Sequence, residues 1–279
     1  MLTFPNAKLN LGLRILGKRS SDGYHELETV FLPIALTEAL ELTPNGDIQQ
    51  DRWDQRGLAI DGDPKNNTVL RTVRMLREEY AFPWLDVTLY KKIPFGAGLG
   101  GGSADAAFAL KMINERFALG LSETEMVERI ASIGADCPFF IHNKPMLATG
   151  IGEFLTPIEI PTEIKKCHIV LIKPQLSIST KEAYAQITCH PEVKGMLPRL
   201  LQAPLSQWRD LIVNDFEEPL FRCYPLLDQL KKELYEAGAF YASMTGSGSA
   251  IYAFFKEPIA TAPLQQHNPD CFIWQGHML

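Results

Sequence analysis

The chain is 279 residues long, carries a formal charge of −6, and is 46% apolar and 22% charged. That length gives a prior of about two domains, and the acidic balance gives no electrostatic reason to bind nucleic acid or an anionic membrane. No run approaches the roughly 18 apolar residues of a membrane helix and no charged segment leads into an apolar leader, so a cytoplasmic protein is expected.

Ala7 to Leu16, Gly23 to Leu32 and Ala39 to Leu42 are short apolar or alternating runs between turn residues and predict strands. Asn45 to Lys65 reads as loop. The period then changes: Val69, Val73, Leu76 and Tyr80 recur at helical spacing over Asn67 to Tyr80, and Phe82-Pro83 closes that helix before a strand over Leu85 to Lys91. A glycine-rich stretch follows and opens a helix predicted from Ser103 to about Phe117, striped by Ala106, Leu110, Ile113 and Phe117. Ser122 with Glu125 makes a capping box for another helix, which Gly134 ends.

Two prolines and several charges over Pro157 to Lys166 mark the expected linker. Beyond it come a strand at Cys167 to Ile172 and helices near Thr180 to Ile187, Ser206 to Asp215 and Leu226 to Ala237. A hairpin of Phe240 to Met244 with Ala250 to Phe255 turns through Gly246-Ser247-Gly248-Ser249. A last strand at Cys271 to Trp274 is expected to complete a mixed sheet with helices on one side. The architecture read from this order is α+β, with domains at 1–160 and 161–279. Five cysteines, an odd number without C-x-x-C spacing, suit reduced thiols.

Chemistry is concentrated at Pro94-Phe95-Gly96-Ala97-Gly98-Leu99-Gly100-Gly101-Gly102-Ser103-Ala104, where five glycines fall within seven residues. Such a loop lets main-chain N–H groups close on an anion, and the helix start that follows adds unpaired amides. Two better-known phosphate motifs are excluded. Gly96, Gly98 and Gly101 fit G-x-G-x-x-G, but a second helix follows where a dinucleotide fold needs a parallel strand. Gly12 to Arg19 nearly fits G-x-x-x-x-G-K, but Arg19 replaces the Ser or Thr and the interior reads as strand.

Phosphoryl transfer requires amides, a cation, a metal ligand and a base. Ser103 can set its hydroxyl on a magnesium ion or cap its helix. Asp136 lies among Cys137, Pro138, Phe139 and Phe140, a setting that calls for a positive partner, and Lys8 on the first strand is the natural one. The plainer readings are a capping carboxylate for Asp136 and a snorkelling lysine for Lys8. Tyr24-His25 after Asp22-Gly23 presents a ring and an imidazole suited to a nucleobase, and the glycines beside Ser247 admit a close main-chain approach.

Taken together, the glycine-rich stretch, the early Ala7-Lys8-Leu9-Asn10 and the late Thr245-Gly246-Ser247-Gly248 resemble the three ordered motifs of the GHMP small-molecule kinases. Asp22-Gly23-Tyr24-His25 and Gly134 to Phe140 resemble the branch that acts on a cytidine diphosphate methylerythritol in non-mevalonate isoprenoid biosynthesis. The resemblance implies an S5-like N-terminal and a ferredoxin-like C-terminal domain with the active site in their cleft, and ATP with Mg2+ as cofactors. Asp136 would take the proton of the 2-hydroxyl and Lys8 would polarise it, while residues 94 to 104 wrap the phosphates and Asn67 lies near adenine. Asn10, Gly246 and Ser247 would sit by the small-molecule substrate. Tyr24 and His25 would hold its cytosine, and Tyr184, on the helix begun by Thr180, would give the opposite stacking face.

Three departures from the family pattern stand out: Ser20-Ser21 is one residue longer than usual, Ala104 replaces a second serine, and Tyr184 replaces phenylalanine. A kinase for homoserine, mevalonate or a sugar would share the phosphate machinery but has no use for the aromatic residues. A catalytically idle ATP-binding regulator would not need both Lys8 and Asp136.

Overall fold

The computed structural model describes residues 1–46, 49–59 and 63–279. Among them the strands run, in chain order, β1 (Leu2–Thr3), β2 (Asn6–Lys18), β3 (His25–Thr37), β4 (Ala39–Asn45), β5 (Arg52–Gly57), β6 (Trp84–Lys91), β7 (Met146–Thr149), β8 (Phe154–Pro157), β9 (His168–Lys173), β10 (Tyr241–Met244), β11 (Ile251–Phe255) and β12 (Phe272–Gly276). Two compact units result, and each is assembled from separated stretches of chain. The first holds Met1–Ala7, Leu36–Phe95 and Gly100–Asn143; the second holds Lys8–Ala35, Gly96–Leu99 and Lys144–Leu279. The boundary read near residue 160 is a division along the chain, whereas these units interleave.

In the first unit a sheet ordered β1-β4-β6-β5 backs four helices, α1 (Thr68–Glu79), α2 (Gly101–Arg116), α3 (Glu123–Ile130) and α4 (Cys137–His142). Ala104, Ala106, Ala107 and Ala109 of α2 are fully buried, so their small side chains let α1 and α4 pack close on either side. Asn67 caps α1 through a bond from Val69 N at 2.8 Å. The capping box of Ser122 and Glu125 on α3 is formed in both directions.

Among the described residues, β1, β5, β7 and β8 were not expected. β5 falls inside the segment read as loop and pairs in parallel with β6; residues 47–48 and 60–62 of that segment lie outside the described residues. Its sequence, Arg-Trp-Asp-Gln-Arg-Gly, lacks the apolar alternation of a half-buried strand because it forms a polar sheet edge, tied by Arg52 to Asp86 at 2.6 Å.

The second unit contains two sheets, β2-β3-β7-β8 and β10-β11-β9-β12. Every pairing in the latter is antiparallel, so the mixed sheet expected from the sequence is corrected. The helix Pro225–Glu236 covers it with Leu227, Leu230 and Leu234, in one core with Val170, Ile172, Ala253 and Phe255. The helix expected over 206–215 is shorter, a single turn at Trp208–Leu211, and the linker contains another short helix at Thr162–Lys165. No helix among the described residues is long and apolar enough to cross a membrane.

Candidate active site

In the first unit, the chain leaving β6 turns at Gly100, whose φ of 71° is left-handed, and α2 starts at Gly101. No side chain caps this helix, so its first amides keep the unpaired N–H groups that suit an anion. Ser103, expected at or before the helix start, stands inside the first turn, and its hydroxyl, like the Cys137 thiol, lies against Gly134. Ala104 is fully buried. Thr68, the first residue of α1, donates its hydroxyl to the Gly102 carbonyl at 2.7 Å, which places the Asn67 cap beside the glycine seat.

A buried ion cluster that sequence reasoning missed supports this seat. Lys91 Nζ lies 2.5 Å from Glu38 Oε1 and 2.9 Å from Asp105 Oδ2, and none of the three residues is more than 3% exposed. Glu38 Oε2 also accepts the Lys92 amide at 3.1 Å. A Cβ on Gly101 would come within 2.9 Å of Glu38 Oε1 and 3.0 Å of Lys91 Nζ, so the start of α2 rests directly on the cluster and a larger residue there would displace its side chains. Residues so far apart in sequence carry no local signal of the arrangement.

Burial and the charge of Asp105, partly offset by Lys91, push the Glu38 carboxyl up to about 7. Burial likewise raises Asp105. For Lys91, burial pulls downward but the two carboxylates outweigh it, and the ammonium is held above its ordinary value. With the folded value for Glu38 above the unfolded one, the protonated form is favoured by folding, so the cluster's contribution is full below about 4.5 and fades as pH rises through about 7. Urea denaturation at pH 5 and pH 8 should therefore show wild type losing more stability than Glu38→Gln across that interval. Equal losses would contradict the assignment.

Beside the cluster is a cavity of about 360 Å³ lined by Trp53, Gln55, Asn67, Thr68, Phe95 and Asp105. It has the size of a small-ligand pocket and two aromatic walls, of which Trp53 was not anticipated. A larger cavity, about 480 Å³, lies in the second unit between Lys144, Pro157, Ile158, Lys165 and Met278 and includes none of the expected site residues.

Asp136 takes the N-cap position of α4, yet its side chain makes no capping bond, so the capping reading is set aside. The next residue, Cys137, is fully buried, and burial pushes its thiol up to about 12 although Ser103 pulls it down. The first unit thus brings Ser103 of α2 near the immediate neighbour of Asp136. Gly134 fits the same place: a Cβ there would sit 3.3 Å from Cys137 Sγ and 3.7 Å from Ser103 Oγ.

In the second unit Lys8, Asn10, Gly98 and the 245–246 turn converge. Lys8 is 3% exposed and so does not snorkel; its Nζ donates to Asn10 Oδ1 at 2.6 Å and lies 4.9 Å from the centre of the Phe31 ring. Asn10 N donates to Thr245 Oγ1 at 3.0 Å, whose hydroxyl donates to the Gly98 carbonyl at 3.1 Å. Lys8 N donates to the Leu99 carbonyl at 2.9 Å. Gly246 completes the group, since its Cβ position is 3.3 Å from both Asn10 Oδ1 and Gly98 Cα. The three sequence motifs thus include one bonded set within this unit.

The aromatic residues lie in the second unit as well. His25 and Tyr184 stack with centroids 4.8 Å apart and planes 20° from parallel, and Tyr184 meets Phe216 edge to face at 4.9 Å. Burial, followed by the charge of Lys18, lowers the His25 pKa, so the imidazole is neutral at pH 7. Tyr24 is exposed, and its amide donates to Asp22 Oδ1 at 3.0 Å. The longer Ser20-Ser21 turn closes on itself, with Arg19 N donating to the Tyr24 carbonyl at 2.8 Å. Thr180 opens the short helix bearing Tyr184, and that helix is capped by the Ser179 side chain.

Comparison with known proteins bears on this geometry. Residues 67–144 match the model of the GHMP kinases N terminal domain, and residues 196–266 that of the GHMP kinases C terminal domain. A 4-diphosphocytidyl-2-C-methyl-D-erythritol kinase of Bacteroides fragilis is 48% identical over 274 residues, covering 98% of both chains. The enzyme of that name from Bacteroides thetaiotaomicron is 45% identical over the full length of both. A crystal structure of 4-(cytidine 5'-diphospho)-2C-methyl-D-erythritol kinase superposes with a TM-score of 0.82 at 28% identity, covering 100% of this chain and 99% of that one. Homoserine kinase from Cytophaga hutchinsonii, with a TM-score of 0.71 at 17% identity over 98% of this chain and 94% of its own, shares the fold. Both halves of the glycine seat therefore sit in a chain that belongs to the GHMP kinases and, within them, to the family of the 4-diphosphocytidyl-2-C-methyl-D-erythritol kinases.

Proposed function

We propose that the chain transfers the γ-phosphoryl group of ATP to the 2-hydroxyl of 4-diphosphocytidyl-2-C-methyl-D-erythritol, a step of non-mevalonate isoprenoid precursor biosynthesis. The observation that carries this reading is the near-full-length identity to kinases of that name, joined to a phosphate seat whose Ser103 lies near the neighbour of Asp136. In this reading residues 1–160 form the ATP-binding domain and 161–279 the C-terminal GHMP kinase domain.

The nucleoside of ATP occupies the cavity between Trp53, Asn67 and Phe95, and the α2 amides face its phosphates. Ser103 suits a hard cation, because its hydroxyl oxygen is a hard donor at the start of α2. When bound, Mg2+ would neutralise charge on the phosphates. Asp136 accepts the hydroxyl proton of the alcohol. Lys8, its ammonium held by Asn10, polarises that oxygen and offsets the charge on the moving group. Neutral His25 reads the edge of the cytosine while Tyr24 and Tyr184 supply ring faces, and the extra hydroxyl of Tyr184 leaves stacking intact.

Incubation with ATP, Mg2+ and a panel of alcohols, followed by measurement of ADP, tests the reaction and its acceptor together. Release with homoserine and none with the cytidine compound would replace this reading by another GHMP kinase activity. His25→Ala should raise KM for the cytidine substrate by about tenfold or more, with KM for ATP little changed. An unchanged substrate KM would remove His25 from the cytosine site.

A further inference from the structure

We propose that Arg71 is a positioning residue for the proposed base: it fixes the main chain that presents Asp136. The inference rests on the phosphoryl-transfer reading above. Arg71 lies on α1, one turn beyond Thr68, and is half-buried. One guanidinium nitrogen donates to the Ile133 carbonyl at 3.3 Å and another to the Ser132 carbonyl at 3.4 Å.

Those two carbonyls follow the end of α3, where a helix leaves acceptors without intrahelical donors. They stand three and four residues before Asp136. On the other side of the loop, Cys137 N donates to the Gly134 carbonyl at 3.1 Å and starts α4. Gly134, Ala135 and Asp136 are thus suspended between the Arg71 fork and the first turn of α4. The positive charge of Arg71 also reaches Cys137, where it pulls the thiol pKa downward against burial, so the guanidinium is close to the residue beside the carboxylate.

The opposite end of the spacing is set on the same helix. Thr68 holds Gly102 of the phosphate seat, and Arg71, three residues on, holds the base loop. Helix α1 therefore acts as a rigid spacer between the seat and Asp136. A change of about 1 Å in such a spacing can cost on the order of 100-fold in rate. Loss of the fork should appear in turnover, because the phosphate seat itself keeps Thr68 and the Glu38–Lys91–Asp105 cluster.

The test is steady-state kinetics of wild type, Arg71→Ala, Arg71→Lys and Arg74→Ala with ATP, Mg2+ and the cytidine alcohol. Arg74 is the control, since it lies on the same helix but donates to the Leu70 and Lys65 carbonyls. Arg71→Ala is expected to lower kcat about 10- to 100-fold with KM for ATP within about twofold. Arg71→Lys should recover part of the loss, because an ammonium can reach one of the two carbonyls, and Arg74→Ala should match wild type. A kcat for Arg71→Ala within twofold of wild type, or KM for ATP rising in step with the loss, overturns the proposal. If Arg71→Ala does not fold, Arg71→Lys decides: a lowered kcat at unchanged KM for ATP supports the role, and an unchanged kcat overturns it. A wild-type chain that releases no ADP with this acceptor overturns the functional reading and this inference together, whereas an active wild type with unaffected variants overturns the inference alone.

Discussion

Asp136→Asn should lower kcat by about two to four orders of magnitude while leaving KM for ATP within about twofold. Asparagine is isosteric and keeps the backbone of the loop. The carboxylate makes no capping bond to α4. What is lost is the proton acceptor and its negative charge. In the proposed reading ATP binding depends on other groups, namely the α2 amides and the cavity walled by Trp53 and Phe95. Steady-state kinetics together with calorimetric titration of ATP separate the two effects. A variant with near-normal turnover would remove Asp136 from the chemistry, and one that lost ATP binding would make it part of the seat instead.

The second large effect is structural. A Cβ at Gly98 would lie 2.0 Å from the Thr245 carbonyl oxygen, and the residue's φ is +73°. Gly98→Ala should therefore combine a left-handed backbone cost of roughly 1–2 kcal/mol with a main-chain clash that moves the Thr245–Gly98 contact, in the range of about 1–3 kcal/mol for overpacking. For a chain of this size the melting temperature should fall by roughly 5–20 °C. Gly120→Ala supplies the control: its φ is +74°, but nothing lies within 4 Å of the Cβ position. Thermal unfolding of the two variants side by side isolates the clash. Equal drops would mean that Gly98 is required for its dihedral angle alone.

The glycine turn that opens α2 was legible because its geometry belongs to the main chain. Five glycines beside a helix start state a backbone geometry whatever the rest of the fold does. Apolar periodicity likewise revealed α1 and β6, and the Ser122–Glu125 pair revealed the start of α3. The start of α2 was misread by two residues, since Ser103 is a good capping type and nothing local shows that Gly100 turns the chain first.

β5 was invisible for a different reason: a polar edge strand buries little, so it lacks the alternation that marks a half-buried one. The mixed sheet was expected from alternating strands and helices, but strand direction follows from long-range pairing such as that of β9 with β11 and β12. Glu38, Lys91, Asp105 and Arg71 were missed because each looks like an ordinary surface charge until the chain brings its partners together.

The interleaving of the two units also orders events during synthesis. Strand β3 leaves the ribosome early and can pair with β2, but β7, where Thr29 faces Ala148, completes its other edge only as far as Phe31, and beyond it Ile34 is bridged to Met278 near the end of the chain. At about 5–20 residues per second, roughly 6–24 s pass between the appearance of Thr29 and that of its partner. Throughout that interval an apolar strand, Val30-Phe31-Leu32-Pro33-Ile34, offers an unsatisfied rim to other nascent chains. The break in hydrogen bonding imposed by Pro33 lies in the middle of that rim and hampers pairing by strangers before the native neighbour arrives.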